Sequence, residues 1–316
     1  MFDAVCSRRS ALAGLFATSS ALATDPFSTP DKTSSVTPDF HYCLNVSTLR
    51  GQELGIVKEL EVTSEAGYDA IEVWMNGLQT YIDQGGSLSD LRKRIDDLGI
   101  SVANAIGFAQ WIVDDNDLRN PALEQLKKEM DILAQLGCSR IAAPPMGATK
   151  EAGLDLMNAA ERYRKILELG ETTGVIPQLE VWGFSANLHR LGQTMFVAVE
   201  SQHPSARILP DIYHLFRGGS EFHGLKLLSG SAIEIFHIND YPAQPIREQL
   251  DDSYRVYPGD GIAPVTEVLQ DLRKTGPGKI LSLELFNRNY WQQDAMTVAK
   301  TGLLKMKQAV AQALPQ

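Results

Sequence analysis

The stretch Ile176-Pro177-Gln178-Leu179-Glu180-Val181-Trp182 alternates: Leu179 and Val181 suit an apolar helix layer, which leaves Gln178, Glu180 and Trp182 on the other face. Successive strand residues point to opposite sides of a sheet, so Glu180 is expected to face inward at the end of a buried strand. Ile280-Leu281-Ser282-Leu283-Glu284-Leu285-Phe286 repeats the arrangement, with Leu281, Leu283 and Leu285 outward and Glu284 inward. In Arg207-Ile208-Leu209-Pro210-Asp211-Ile212, Asp211 faces away from Ile208 and Ile212, although Pro210 is out of place in a central strand. In Ile233-Glu234-Ile235-Phe236-His237-Ile238-Asn239, His237 shares the face of Ile233 and Ile235. Four polar residues thus take the inward parity at the C-terminal ends of their strands, where barrel enzymes carry their chemistry.

Working outward, the chain alternates β-type runs with amphipathic helical stretches, separated by Gly, Pro and Asn. The strands are expected at 40–48, 70–76, 101–108, 140–145, 176–182, 206–212, 233–239 and 279–286, with helices at 53–66, 121–136, 154–173 and 291–313. Eight units of roughly 35 residues predict an α/β fold of the (β/α)8 TIM-barrel class. An open doubly wound sheet is disfavoured, because no Gly-x-Gly-x-x-Gly follows an early strand and there is no Walker A motif.

Residues 39–314 are expected to form a single catalytic domain. Ahead of it, Ser7-Arg8-Arg9-Ser10 leads into an Ala-rich stretch ending in Ala21-Leu22-Ala23, the pattern of a twin-arginine export signal over residues 1–23. Residues 24–38, with Pro26, Pro30 and Pro38 among Ser and Thr, read as a flexible leader. The expected location is the periplasm, or the cytoplasm if the signal is not functional. The apolar stretch is too short for a stable membrane anchor.

The chain has 316 residues, 44% hydrophobic and 22% charged, with a formal net charge of −10. No basic run concentrates positive charge, so nucleic acid is excluded as a partner, because phosphate binding needs a basic face. Three cysteines, Cys6, Cys43 and Cys138, are too scattered for a disulfide framework or a cysteine metal site. The expected partner is a small-molecule sugar or cyclitol, and a homo-oligomer is compatible with the composition.

A buried carboxylate without a partner costs several kcal/mol, so Glu180, Asp211 and Glu284 converging with His237 call for a cation. Carboxylate oxygens with one imidazole suit Mn²⁺, Co²⁺, Mg²⁺ or Zn²⁺. One divalent metal ion is therefore expected.

The motifs Leu179-Glu180-Val181, Asp211-Ile212-Tyr213-His214, Phe236-His237-Ile238-Asn239-Asp240 and Leu283-Glu284 resemble the sugar-phosphate isomerase/epimerase family, the xylose isomerase-like barrels. Their order and strand positions match that family's four metal ligands. The run Arg255-Val256-Tyr257-Pro258-Gly259-Asp260-Gly261 is most similar to the inosose isomerase branch, which acts on 2-keto-myo-inositol. Ketose 3-epimerases usually carry a glutamate six residues after the first ligand and an arginine six after the histidine; Ala186 and Ala243 stand there, which weakens that branch. Endonuclease IV is similar in fold only, since it needs many more histidines than the six present.

The resemblance implies a metal-dependent isomerase or epimerase that moves a proton beside a ketone through a metal-stabilised enediolate. Glu180 and Glu284 are then base and acid, on opposite sides of the sugar, while Asp211 and His237 complete the metal shell. His214 and Arg255 are candidates to hold substrate hydroxyls. Glu72 is a candidate partner for a ligand, and Trp74, Trp111 and Trp182 for an apolar wall against a sugar ring. The alternative is a lyase or dehydratase, in which the same base expels a β-substituent from a keto-sugar or 3-keto-glycoside.

Overall fold

The computed structural model describes residues 38–314; the expected export signal and residues 24–37 of the leader lie outside the described residues. The eight strands are β1 Phe40–Asn45, β2 Ala70–Trp74, β3 Ser101–Ile106, β4 Arg140–Ala143, β5 Ile176–Glu180, β6 Ile208–Leu209, β7 Ile235–Ile238 and β8 Lys279–Leu283. The helices are α1 Ile56–Ala66, α2 Met75–Asp83, α3 Leu88–Asp97, α4 Asn116–Gln135, α5 Leu156–Thr173, α6 Leu191–Glu200, α7 Ile212–Arg217, α8 Val265–Lys274 and α9 Ala295–Ala313.

The ladders run β3-β2-β1-β8-β7 and β4-β5-β6, and every pairing is parallel. Single parallel bridges at Ile208↔Ile233 and Asp211↔His237 join β6 to β7. Between β3 and β4 the side chain of Arg140 crosses the seam, its Nη1 donating to Ala103 O at 3.3 Å. The result is the expected (β/α)8 barrel.

Two apolar layers hold it together. Cys43, Ala70, Ala103, Ile106, Ala142, Leu209 and Ile235 fill the barrel interior. A larger layer packs the helices on its outside, as α8 shows: Val265, Val268, Leu269 and Leu272 recur at helical spacing and are all buried. In α9 a Cβ on Gly302 would stand 2.3 Å from Leu283 Cδ2, so the glycine lets that helix pack closely on β8 without moving the leucine.

The strands are shorter than the sequence suggests, and β6 is reduced to two residues. Pro210 is the cause. It has no N–H for a ladder, though its carbonyl still accepts from His237 N at 3.0 Å. Asp211 therefore leaves the strand and caps α7, its Oδ1 accepting from His214 N at 3.0 Å. A second irregularity lies in β3, where the register with β2 jumps from Ile71↔Val102 to Glu72↔Asn104. The extra residue, Ala103, is a bulge that turns Asn104 into the barrel.

Candidate active site

The C-terminal mouth of the barrel opens into a cavity of about 540 Å³, lined among others by Glu180, His214, Arg255 and Glu284. Strand alternation puts the polar groups at its floor, as their parity predicts. Asp211, His237 and Glu284 are buried, and one ligand atom from each lies within 4.8 Å of the others. Glu180, also buried, lines the same cavity but stands outside that three-residue cluster.

His237 is held from behind. Its Nε2 lies 3.0 Å from Glu72 Oε1, and Glu72 is in turn fixed by Asn45 Nδ2 at 2.7 Å, Asn104 Nδ2 at 2.7 Å and Ser282 Oγ at 2.6 Å. Burial would raise the Glu72 carboxyl, but the His237 ring and these donors hold it below its ordinary value. The other nitrogen, Nδ1, faces the cluster, 3.2 Å from Glu284 Oε2 and 3.7 Å from Asp211 Oδ2. It makes a directed hydrogen bond to neither. Burial disfavours a charged ring, yet Glu72 and then Glu284 overcome it and keep His237 protonated well above its usual range.

Arg255 supplies the other positive charge. Its Nη1 donates to Asp211 Oδ2 at 2.5 Å and to Glu284 Oε2 at 3.1 Å, while Nη2 meets Asp252 Oδ1 at 2.8 Å. Asn239 Nδ2 adds donors to both Asp211 oxygens at 3.2 Å. Against the effect of burial, Arg255 and His237 hold Asp211 well below the usual carboxylate range. On Glu180 burial, and then the charge of Glu284, outweigh the lowering pull of His237 and push the carboxyl up to about 8.

His214 accepts from Gly183 N at Nδ1, 3.2 Å away, so the hydrogen of a neutral ring falls on Nε2. Burial, followed by Arg255, lowers this ring to about 4 and keeps it neutral. Nε2 lies 3.1 Å from Arg255 Nη2, another donor, so the two together suit an acceptor oxygen.

Arg255 is carried by the loop after β7, and Asp240 shapes that loop. Its carboxylate accepts from the backbone N–H groups of Tyr241 and Ala263 at 2.8 Å and of Gly259 and Gly261 at 3.0 Å. A Cβ on Gly261 would lie 2.3 Å from Asp240 Oδ1, which explains the glycine.

The chemistry of this donor set fits a divalent cation. His237 Nδ1 and Glu180 Oε2 are buried without a hydrogen-bond partner; Nδ1 faces the carboxylates of Glu284 and Asp211, and a divalent cation bound there would take the place of the ring proton. Oxygen ligands with one imidazole suit a hard or borderline ion.

All six candidate residues, Glu180, Asp211, His214, His237, Arg255 and Glu284, are buried at this end of the barrel. The expected aromatic wall is partly corrected. Trp74 and Trp182 line the cavity with Phe108, Phe184 and Phe286, whereas Trp111 is packed in the core and donates to Pro144 O at 2.9 Å. Asn45, Asn104, Asn239 and Ser282 join the site without having been singled out in the sequence.

Residues 60–309 match the family described as xylose isomerase-like TIM barrel. The chain is similar to the inosose isomerase of Bacillus velezensis, 26% identical over 82% of this chain and 93% of that one. It is also similar to the 3-dehydroshikimate dehydratase of Pseudomonas putida, 24% identical over 78% of this chain and 38% of that one. Among solved structures it resembles the IolI protein with a zinc atom, at TM-score 0.79 and 24% identity over 87% of this chain and 100% of that one. An L-ribulose 3-epimerase follows the same fold, at TM-score 0.69 and 20% identity over 86% and 95% of the two chains. No helix among the described residues is long and apolar enough to cross a membrane.

Proposed function

The chain belongs to the xylose isomerase-like TIM barrel family, and from that premise we propose that it is a divalent-metal-dependent isomerase or epimerase of a keto-sugar or keto-inositol. The observation that carries this reading is the buried cluster of Asp211, His237 and Glu284, whose ligand atoms lie within 4.8 Å of one another, with Glu180 lining the same cavity. Carboxylates so placed can both hold a cation and move a proton beside a ketone.

Glu180, Asp211, His237 and Glu284 would hold the ion, which when bound acts as a Lewis acid on the ketone oxygen and the neighbouring hydroxyl. Glu180 carries the proton at Oε2, its unpartnered oxygen. Glu284, fixed by Arg255 Nη1 and by Asn45 Nδ2 at 3.2 Å, serves as the second proton carrier from the position just past β8. His214 Nε2 and Arg255 Nη2 orient a substrate oxygen. Trp74, Trp182 and Phe286 form apolar walls beside them.

The test is incubation of the metal-loaded protein in D₂O with 2-keto-myo-inositol, ketohexoses and 3-keto-glycosides. Deuterium incorporation with an isomerised or epimerised product supports the reading. A dehydratase or lyase is the second reading, favoured by the similarity to 3-dehydroshikimate dehydratases, and predicts exchange with elimination. Absence of exchange with every ketone would overturn both. Export through the twin-arginine route belongs to the same proposal: replacing Arg8 and Arg9 by Lys should trap the precursor inside the cell, and undiminished periplasmic protein would refute it.

A further inference from the structure

Arg50 lines the same cavity as Glu284 and Arg255, from the turn at Val46–Gln52 that follows β1. Its guanidinium carbon lies 3.8 Å from the Trp74 ring centroid and 5.3 Å from that of Phe286. The Trp74 platform is itself fixed, since its Nε1 donates to Asn45 Oδ1 at 2.9 Å and Asn45 bonds both Glu72 and Glu284. Stacking occupies the flat face of a guanidinium and leaves its in-plane N–H fork for a ligand.

That fork makes no ion pair or side-chain hydrogen bond among the described residues. Glu284, Asp252 and Glu59 act on it only through space, and the first two already take N–H groups of Arg255 at 3.1 and 2.8 Å. Lys150, in the loop after β4, lines the cavity too and has no ion-pair partner among the described residues. Two unpaired cations therefore border a space whose floor is acidic and whose walls are aromatic.

We propose that Arg50, supported by Lys150, is a second recognition point of the substrate site and takes the oxyanion of a carboxylated or phosphorylated ring ketone. The guanidinium fork matches both groups by paired, charge-assisted hydrogen bonds. A neutral polyol can accept those hydrogen bonds but gains no charge-assisted pairing. A cavity of about 540 Å³ is large enough for a six-membered ring with one such substituent. This inference rests on reading the cavity as the substrate site and extends it to the substrate's class.

Binding of unreactive ring ligands tests it, followed by calorimetry and by Trp fluorescence on the metal-loaded protein. The probes are myo-inositol, its 1-phosphate, and quinate as the carboxylate. At least one anionic probe should bind about tenfold or more tightly than myo-inositol, the value of one charged contact, and the preference should weaken with salt. Arg50→Gln should bring the two within about twofold while leaving metal affinity unchanged, and Arg50→Lys should keep part of the preference. The anion preferred identifies carboxylate or phosphate as the source. Equal binding of all three probes, no binding of any, or an intact preference in Arg50→Gln would overturn the inference. Proton exchange is measured separately, on carboxylated and phosphorylated ring ketones beside the neutral ones, so an anion preference without exchange on any of them defeats the isomerase reading alone, and exchange without the preference defeats this one alone.

Discussion

Glu72 Oε1 and His237 Nε2 lie 3.0 Å apart with both side chains fully buried, which directs the remaining ring nitrogen toward Asp211 and Glu284. A carboxylate behind a histidine ligand fixes its tautomer and raises its basicity, and removing one typically costs about 10–100-fold in metal affinity. Glu72→Gln keeps the volume and should show a loss of that size by calorimetry with Zn²⁺ or Mn²⁺, at near-normal helix content. Unchanged affinity would make Glu72 a barrel-filling residue only.

The loop that delivers Arg255 depends on one acceptor. Asp240→Ala would leave four backbone N–H groups without their carboxylate, at about 1–3 kcal/mol for each that stays buried and unpaired. Amide exchange at Gly259, Gly261 and Ala263 should accelerate, with exchange in β1 and β8 slower to respond. Unaltered protection at these amides would show that the loop holds itself.

How far the sequence could be read depended on where each side chain gets its direction. Glu180, His237 and Glu284 inherit theirs from strand alternation, which a period of two reveals. Asp211 has the right parity, but it sits beyond the strand that Pro210 ends, and a capping role fixes it instead. Asn104 faces inward because of the bulge at Ala103, and nothing in alternation marks a bulge. Asn45 reaches Glu72 and Glu284 across 27 and 239 residues, a pairing that exists only once the barrel is closed. Trp111 shows the opposite error: an aromatic near a strand end was available to the cavity by position and went to the core, where its N–H found a carbonyl.

At the opposite end of the barrel, Glu234 pairs with Arg140 Nε, and with Arg207 Nε at 3.1 Å. Burial alone would raise this carboxyl, but Arg140 and Arg207 outweigh it and hold it below its ordinary value. A depressed carboxylate stabilises the fold above its unfolded pKa of about 4.3 and loses that contribution as pH falls through the folded value. Glu234→Gln should therefore lower stability by about 1 kcal/mol at pH 7. The gap to the parent should close below pH about 4. Urea midpoints at the two pH values check it; a gap that does not change with pH would mean the pair contributes through packing.

Asp211 and Glu284 share Arg255 Nη1, at 2.5 and 3.1 Å, yet the proposed mechanism gives only Glu284 a proton to carry. Asp211→Asn keeps an oxygen for the His214 N–H at the start of α7 and removes one ligand charge. Its activity should fall with metal affinity and recover in part when metal is added. Glu284→Gln also keeps a ligating oxygen but cannot accept a proton, so its kcat should drop by about 10²-fold or more, the ordinary worth of a general base. Saturating metal should not restore it. Metal titration of affinity and of kcat in parallel separates the two variants. Equal recovery of both would reduce Glu284 to a ligand and hand the second proton transfer to His214, whose ring lines the same cavity.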